Sequence, residues 1–289
     1  MSSQVKKVII PAAGFGTRLL PVTKALPKEM LPILDTPIIQ IAIEEAIASG
    51  IEEIIIIIGE GKQAIEYHFE QNLSLENFLK EKGKHDLLKK IQKTSPGIKI
   101  AYILQPEMKG LGHAISLAKD FTNNEPVAVI LPDDIIFSST PCLKQMIDIW
   151  NTKESAILAT MEVPKKEVSH YGILDPKKVE GNLISVKDMV EKPEIDAAPS
   201  QYAIIGRYIL PPEIFDILEK TPASKSGEIQ LTDALRTLNK SHNIYGYLFD
   251  GKRFDAGSTT GLLKANTFAA LQRDDIKEEY TKFLLELLK

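Results

Sequence analysis

The segment Lys7-Val8-Ile9-Ile10-Pro11-Ala12-Ala13-Gly14-Phe15-Gly16-Thr17-Arg18 decides the fold. Residues 8–10 are a short β-branched run that predicts a buried strand. The small residues behind them predict a tight turn at the strand's carboxyl end, where backbone N–H groups can approach phosphate oxygens. Gly-x-Gly alone fits an ordinary turn equally well, but spacing excludes two named phosphate loops. A Walker loop ends in Gly-Lys-Ser/Thr, whereas Thr17-Arg18 stands here. A dinucleotide fingerprint needs a third glycine three residues after Gly16, and that position is Leu19. The acidic residue such a fingerprint places about twenty positions on is here Asp35. It lies between Pro32 and Pro37, in a loop, and is badly placed to hold a ribose.

Pro21, Pro27, Pro32 and Pro37 fix φ and bias the residues before them to extended geometry, so residues 17–36 are predicted to be a long ordered loop. Arg18, Lys24 and Lys28 stand on that stiffened loop, where little entropy is lost in binding an anion. A helix is predicted from Pro37 to Gly50, with Ile39, Ala42, Ile43, Ala46 and Ile47 inward and Glu44 and Glu45 outward. Residues 53–58 form a second strand, apolar as a sheet buried on both faces demands. Residues 61–93 are polar and helical, a surface insertion. Strand 98–104, helix 112–121 and strand 127–131 complete a β-α-β series. The alternation predicts an α/β fold with a doubly wound, mostly parallel, Rossmann-like sheet.

After helix 141–150 the pattern changes. Strand 156–161, short strands at 171–174 and 179–186, a break at 193–200 and strand 202–210 predict hairpins, hence a mixed antiparallel extension of the same sheet. Helices 212–220 and 231–238 precede a pair of short strands at 245–249 and 253–254, and residues 259–288 read as C-terminal amphipathic helices. One domain is expected.

The 289 residues carry 35 Lys+Arg against 39 Asp+Glu, a net charge of −4, which argues against bulk attraction to nucleic acid and leaves any anion to a local basic cluster. With 44% hydrophobic and 26% charged residues, the chain is neither disordered nor fibrous. No apolar run approaches the ~20 residues of a membrane span. Gly14, Gly16 and Arg18 interrupt the opening apolar stretch before a leader's core could form. Cys142, the single cysteine, excludes a disulfide within the chain and favours a reducing cytoplasm. His68, His85, His113, His170 and His242 show no metal-ligand spacing, and Cys142 has no nearby histidine in sequence to activate it.

Gly14-x-Gly16-Thr17-Arg18-Leu19, followed by Pro21-x-Thr23-Lys24-x-x-Pro27-Lys28-Glu29-Met30-Leu31-Pro32, resembles the signature of the sugar-1-phosphate nucleotidylyltransferases. Four further blocks are similar to the bacterial UTP–glucose-1-phosphate uridylyltransferases within them. These are Gln105-x5-Leu111-Gly112-His113-Ala114, Leu131-Pro132-Asp133-Asp134, Val190-Glu191-Lys192-Pro193 and Gly227-Glu228-Ile229-Gln230-Leu231-Thr232-Asp233. The match spans residues 5–271.

The resemblance implies transfer of a uridylyl group from UTP to glucose 1-phosphate by Mg²⁺-assisted in-line attack on the α-phosphate, giving UDP-glucose and pyrophosphate. A thymidylyltransferase or another sugar-1-phosphate nucleotidylyltransferase is the alternative, and a non-catalytic nucleotide-sugar-binding subunit a further one. Because both reactants are polyanions, such catalysis is mostly positioning and charge neutralisation. By the same resemblance Arg18 grips the departing phosphates, Lys28 reaches the reacting ones and Lys192 holds the sugar phosphate, so that with Asp133 they form the catalytic set. Ala12, Ala13 and Gly14 contact the nucleotide through their backbone, and Gly16, Thr17 and Glu29 complete that surface. Gln105 reads the uracil edge and Gly110 leaves room for the base. Asp133 and Asp255 hold the Mg²⁺, with Asp134 behind. Glu191 accepts from sugar hydroxyls, and Gly172 offers bare backbone to the pyranose. Pro193 is expected to keep Lys192 extended. No role follows for residues 227–233.

Residues 1–150 are then the nucleotide-binding half, 151–257 the sugar-binding half and 258–289 a helical tail. The expected assembly is a cytoplasmic homodimer or homotetramer with no nucleic-acid or membrane partner.

Overall fold

In the computed structural model, which describes residues 4–95, 97–224 and 227–288, the glycine turn follows a central strand. That strand is β1 (Lys7–Ala12). The proline-pinned loop contains three single 3-10 turns, at Thr17–Leu19, Val22–Lys24 and Lys28–Met30, and ends in a minimal hairpin of β2 (Pro32–Ile33) and β3 (Thr36–Pro37). Then come α1 (Ile38–Ala48), β4 (Glu53–Ile58), α2 (Gln63–Phe69), α3 (Leu73–Glu81), α4 (His85–Gln92), β5 (Lys99–Leu104), α5 (Gly110–Ser116), β6 (Val127–Ile130) and β7 (Asp134–Phe137). The later part runs α6 (Cys142–Lys153), β8 (Ala156–Glu162), β9 (Gly172–Glu180), β10 (Leu183–Glu191), β11 (Tyr202–Leu210), α7 (Glu213–Lys220) and α8 (Leu231–Leu238). It closes with β12 (Ile244–Leu248), β13 (Lys252–Asp255), α9 (Thr259–Ala270) and α10 (Lys277–Leu287).

These elements make a mixed α/β fold around a nine-stranded sheet of order β5-β4-β1-β6-β11-β8-β12-β10-β9. The first four strands are parallel. Successive side chains point to opposite faces of such a sheet. Val8 and Ile10 pack with Ile43 of α1 and Met146 of α6, while Ile9 packs on the other face with Ile115 of α5 and Leu235 of α8. Helices therefore cover both faces.

The expected proportion of parallel pairing needs correction. Beyond β6 only β8 and β12 pair in parallel, and β11 lies antiparallel to both β6 and β8. Nor does the second half extend as an open sheet. β9 pairs with β10 and, through Ile173 and Ala203, with β11, so that β11, β8, β12, β10 and β9 close a five-strand ring. Bulges between Ser185 and Asp188 and a register shift between Ile204 and Tyr208 supply the bending that closure requires.

The two short strands expected at 245–249 and 253–254 are present and lie in different sheets: β12 enters the large sheet, while β13 pairs antiparallel with β7. One reading of α1 is corrected. On α1, Ile47 faces solvent, whereas Glu45 turns inward to meet Arg207.

A small core of Leu19, Leu31, Ile33, Ile38, Ile135, Ala256, Ala265 and Ala269 fastens the proline-pinned loop and α9 against β7. The β7–β13 pairing, with Asp255 opposite Asp134, brings the far end of the chain to the carboxyl end of β6. Among the described residues no helix is long and apolar enough to cross a membrane.

Candidate active site

At the carboxyl ends of β6 and β10 a cleft of about 800 Å³ opens between the parallel strands and the ring. Arg18, Gly110, Asp133, Gly172, Glu191, Lys192 and Asp255 all line it, although they span 238 positions of sequence from Arg18 to Asp255. Lys24, the middle cation of the loop, is not among its lining residues.

One wall is ionic. Lys28 Nζ donates to Asp133 Oδ2 at 2.6 Å, and Arg18 places Nη1 3.1 Å from Asp255 Oδ2 and Nη2 3.9 Å from Asp133 Oδ2. Burial alone would push the Asp133 carboxyl up, but the Lys28 and Arg18 charges and the Lys28 hydrogen bond hold it below the usual carboxylate range. Burial likewise works to lower Lys28, and Asp133 and Glu29 outweigh it, so its ammonium holds its proton more firmly than a free lysine. At Gly257 an added Cβ would lie 2.6 Å from Arg18 Nη2, 2.7 Å from Asp133 Oδ2 and 3.1 Å from Asp255 Oδ1, so only a bare backbone fits the notch between them.

The two carboxylates beside it are a donor set that suits a small hard cation once Arg18 and Lys28 release them. Mg²⁺ characteristically takes one or two carboxylates and fills its remaining positions with phosphate oxygens and water. Asp133 and Asp255 converge on one point, and among the described residues no three His, Cys, Asp or Glu side chains gather to form a closed protein cage. Asp134, next in sequence to Asp133, faces the interior. It accepts from Gly206 N at 2.9 Å and pairs with Arg253, whose Nη1 donates to the Tyr171 hydroxyl at 2.8 Å.

The opposite wall belongs to the ring. Glu191 Oε2 accepts from the Thr232 hydroxyl at 2.6 Å, and Lys192 Nζ lies 3.4 Å from Glu191 Oε1. A Cβ on Gly172 would stand 3.2 Å from both Glu191 Oε2 and Thr232 Oγ1. Lys192 is not extended, as Pro193 had led us to expect: its φ is +45°, and its N–H donates to the Tyr171 carbonyl at 3.0 Å. That bond fixes a left-handed backbone of the kind that clusters where a side chain must be aimed.

Residues 227–233, without a role on sequence grounds, join the start of α5 to the ring wall. Ile229 N donates to Lys109 O at 2.8 Å and its carbonyl accepts from Gly112 N at 2.9 Å, while Thr232 reaches Glu191. A side chain on Gly110 would collide with Glu228 Cβ at 2.8 Å.

The glycine turn lies next to this cleft. Gly16 has φ +69°, open to glycine without strain, and packs on Lys28 Cβ. Thr17 opens the 3-10 turn that carries Arg18, and Ala12 and Ala13 are buried beneath the turn. Gln105, directly after β5, is buried, with its amide nitrogen 3.0 Å from His113 Nδ1. Glu29 does not line the cleft: it is fully buried, and burial pushes its carboxyl up despite Lys62 Nζ at 2.6 Å.

Lys62 was missed in sequence because residues 61–93 read as a surface insertion. It is buried and also donates to the Gly14 carbonyl at 2.8 Å, bracing the glycine turn. The available signal was a second glycine pair, Gly59 and Gly61, at the carboxyl end of β4. A Cβ on Gly59 would stand 2.7 Å from Ala13 O.

Comparison with known proteins agrees with this geometry. Residues 7–272 match the family model described as nucleotidyl transferase. The chain is 49% identical over 286 residues, covering 99% of itself and all of its relative, to a protein of Staphylococcus saprophyticus named UTP–glucose-1-phosphate uridylyltransferase 1. It superimposes with a TM-score of 0.86 at 44% identity on a UDP-glucose pyrophosphorylase crystallised with UDP-glucose, covering 93% of this chain and all of that one. A UTP-bound UGPase from Acinetobacter baumannii superimposes with a TM-score of 0.92 at 37% identity, covering 98% of this chain and all of that one.

Proposed function

The chain belongs to the nucleotidyl transferase family, and from that premise we propose that it transfers the uridylyl group of UTP to glucose 1-phosphate, releasing pyrophosphate and UDP-glucose. The observation that carries this reading is the joining of Arg18, Asp133 and Asp255 with Glu191 and Lys192 in one cleft. An acidic protein thereby offers a place where two repelling anions can be held together.

The glycine turn receives the triphosphate. Backbone N–H groups of Ala12, Ala13, Gly14, Gly16 and Thr17 approach its oxygens, as such turns do, and Gln105 faces the base beside Gly110. Glu29, under the turn, supports the nucleotide surface from below. Lys28 and Arg18, held by carboxylates in the structure, exchange those partners for phosphates: Lys28 for those that react, Arg18 for the pyrophosphate that leaves. Lys192 holds the phosphate of glucose 1-phosphate, Glu191 accepts from the sugar hydroxyls, and Gly172 lets the ring lie close. The sugar phosphate oxygen is thereby aligned for in-line attack on the α-phosphorus, a task of orientation and electrostatics rather than proton transfer.

Members of the family generally use a divalent metal. We assign Mg²⁺ to Asp133 and Asp255, where it would neutralise charge at the reacting phosphates. We read β5-β4-β1-β6 with its flanking helices as a doubly wound, Rossmann-like nucleotide half (residues 1–150), followed by a sugar half (151–257) and a helical tail (258–289). No residue of α10 is buried, and Phe283, Leu285 and Leu287 are exposed, which supports a homo-oligomer formed through the tail. The buried unpaired Cys142 suits a reducing cytoplasm.

The test is direct: purified protein is given UTP, glucose 1-phosphate and Mg²⁺, and release of pyrophosphate and UDP-glucose is followed. Absence of turnover would overturn the assignment, and faster turnover with dTTP in competition would move it to the thymidylyl alternative.

A further inference from the structure

We propose that His113 sets the base specificity of the site by locking the Gln105 carboxamide with its oxygen towards the nucleotide base; this rests on the reading of Gln105 as the residue that faces the base. Gln105 follows β5, and its backbone N–H donates to Ile58 O at 2.8 Å, which anchors its main chain between the carboxyl ends of β4 and β5. Its side-chain nitrogen has two neighbours, His113 Nδ1 at 3.0 Å and the Gly110 carbonyl at 3.4 Å. A carbonyl oxygen can only accept, so the amide must present its nitrogen on that side. His113 Nδ1 is then the acceptor of the shorter bond, and the imidazole carries its proton on Nε2.

The amide oxygen is left for the ligand. Among the described residues nothing donates to Gln105 Oε1, and the only buried side-chain polar atom without a partner is Glu29 Oε1. Gln105 is only 5% exposed, and Oε1, neither bonded nor sealed off, is the part of its amide within reach of solvent. An acceptor held there matches the N3–H of uracil. Cytosine presents a lone pair at the same position, so two acceptors face each other and neither is satisfied. Thymine shares the uracil edge and is not discriminated by this contact. Without His113, only the long bond to Gly110 resists rotation of the amide, and a rotated amide offers N–H to cytosine.

The measurement is the binding of UTP, CTP and dTTP to the purified full chain in Mg²⁺ buffer by calorimetry, which needs no turnover. In His113→Ala the UTP-over-CTP preference is expected to fall by about ten-fold or more, mainly through tighter CTP binding, with the UTP-to-dTTP ratio unchanged. His113→Asn, whose amide oxygen can stand in for Nδ1, is expected to restore the preference. Gln105→Ala is expected to abolish it. If His113→Ala keeps the wild-type UTP-to-CTP ratio while Gln105→Ala loses it, the His113 proposal is overturned and the base-facing reading survives. If Gln105→Ala also keeps the ratio, the base-facing reading itself falls. A change in the dTTP ratio matching that for CTP in His113→Ala would mean a damaged pocket, and would likewise overturn the proposal.

Discussion

Two layers of charge lie one behind the other in this molecule, and they are built differently. At the mouth of the cleft, Arg18 is 60% exposed and meets Asp255 through a single contact, and just inside it Lys28, 20% exposed, meets Asp133 through a single hydrogen bond. Behind it, Arg207 is 1% exposed and donates through Nε and Nη2 to both oxygens of Glu45 at 2.7–3.2 Å, while Nη1 donates to Leu131 O at 3.0 Å. Single contacts near water are weak and exchangeable, whereas a bidentate buried pair with its remaining donors satisfied is a fixture. The mouth thus stores cations and carboxylates in a form that phosphate can take over, and the wall behind keeps them aimed. Substitutions in the two layers should therefore separate turnover from stability.

The largest separation is expected at Asp133. Asp133→Asn keeps the shape but removes the charge that holds Lys28 and to which we assign the metal, and turnover should fall by about a thousand-fold or more, roughly 4 kcal/mol. The thermal midpoint should move by no more than a few degrees, since the pair it loses is worth about 1 kcal/mol. Pyrophosphate release beside a melting curve reads both; a collapse of the midpoint would show that the mouth is structural after all. Arg207→Met is the converse. It strands Glu45 in a buried site and should cost about 3 kcal/mol of stability in urea unfolding, with turnover per folded molecule retained at low temperature. The double change Arg207→Met with Glu45→Leu should recover much of the loss, because no unpaired charge then remains.

How far these layers were legible in sequence follows from what each depends on. Ile54–Ile58 stood out as a strand because a continuous apolar run needs no partner to be recognised, and Tyr202–Leu210 did so because its β-branched and aromatic residues outweigh Arg207. Arg18 and Lys28 were legible as cations on one proline-pinned loop, whereas Asp133, Glu191 and Lys192 stood out through the resemblance to the sugar-1-phosphate nucleotidylyltransferases. The ring was not legible. Short strands were expected at 171–174 and 179–186, yet β9 runs from Gly172 to Glu180 through Pro176, which faces Val186 beside the bulges, where the ladder is already interrupted and its missing N–H costs little. Glu45 shows the same limit. Helical spacing turned it outward, and only the arrival of Arg207, 162 positions away, makes burial of its charge tolerable. Long-range partners of this kind leave no periodic trace.

Thr232 tests the comparison at smaller amplitude, since its hydroxyl supports Glu191 on the ring side of the mouth. Thr232→Val preserves the shape and removes a donor to the carboxylate, so Glu191 should hold the sugar less firmly. The KM for glucose 1-phosphate is expected to rise about five-fold, near 1 kcal/mol, with the KM for UTP and the thermal midpoint little changed. A rise confined to UTP would place Glu191 on the nucleotide side and redraw the cleft.

The smallest effect separates the layers by pH in the free protein. Burial tends to raise the Asp133 carboxyl, but Lys28 and Arg18 hold it below its ordinary 3.8. A folded value below the unfolded one gives stability that is fully present above pH 3.8 and is lost as pH falls through the folded value. Lys28 has the opposite sign: against the pull of its burial, Asp133 and Glu29 raise it above 10.5, so its contribution is complete below pH 10.5 and disappears as pH rises through the folded value. The mouth pair therefore stabilises the fold between two limits, by about 1 kcal/mol, and one group cannot change stability faster than about 1.4 kcal/mol per pH unit. Subtracting urea-unfolding profiles of Asp133→Asn from wild type should leave a difference that fades below pH 3.8, and Lys28→Met one that fades above pH 10.5. Behind the mouth, Arg207 keeps its charge throughout the alkaline range, so the Arg207→Met difference should stay level above pH 10.5. If it fades together with the Lys28 difference, the two layers titrate as one network and the division between exchangeable and fixed charge fails.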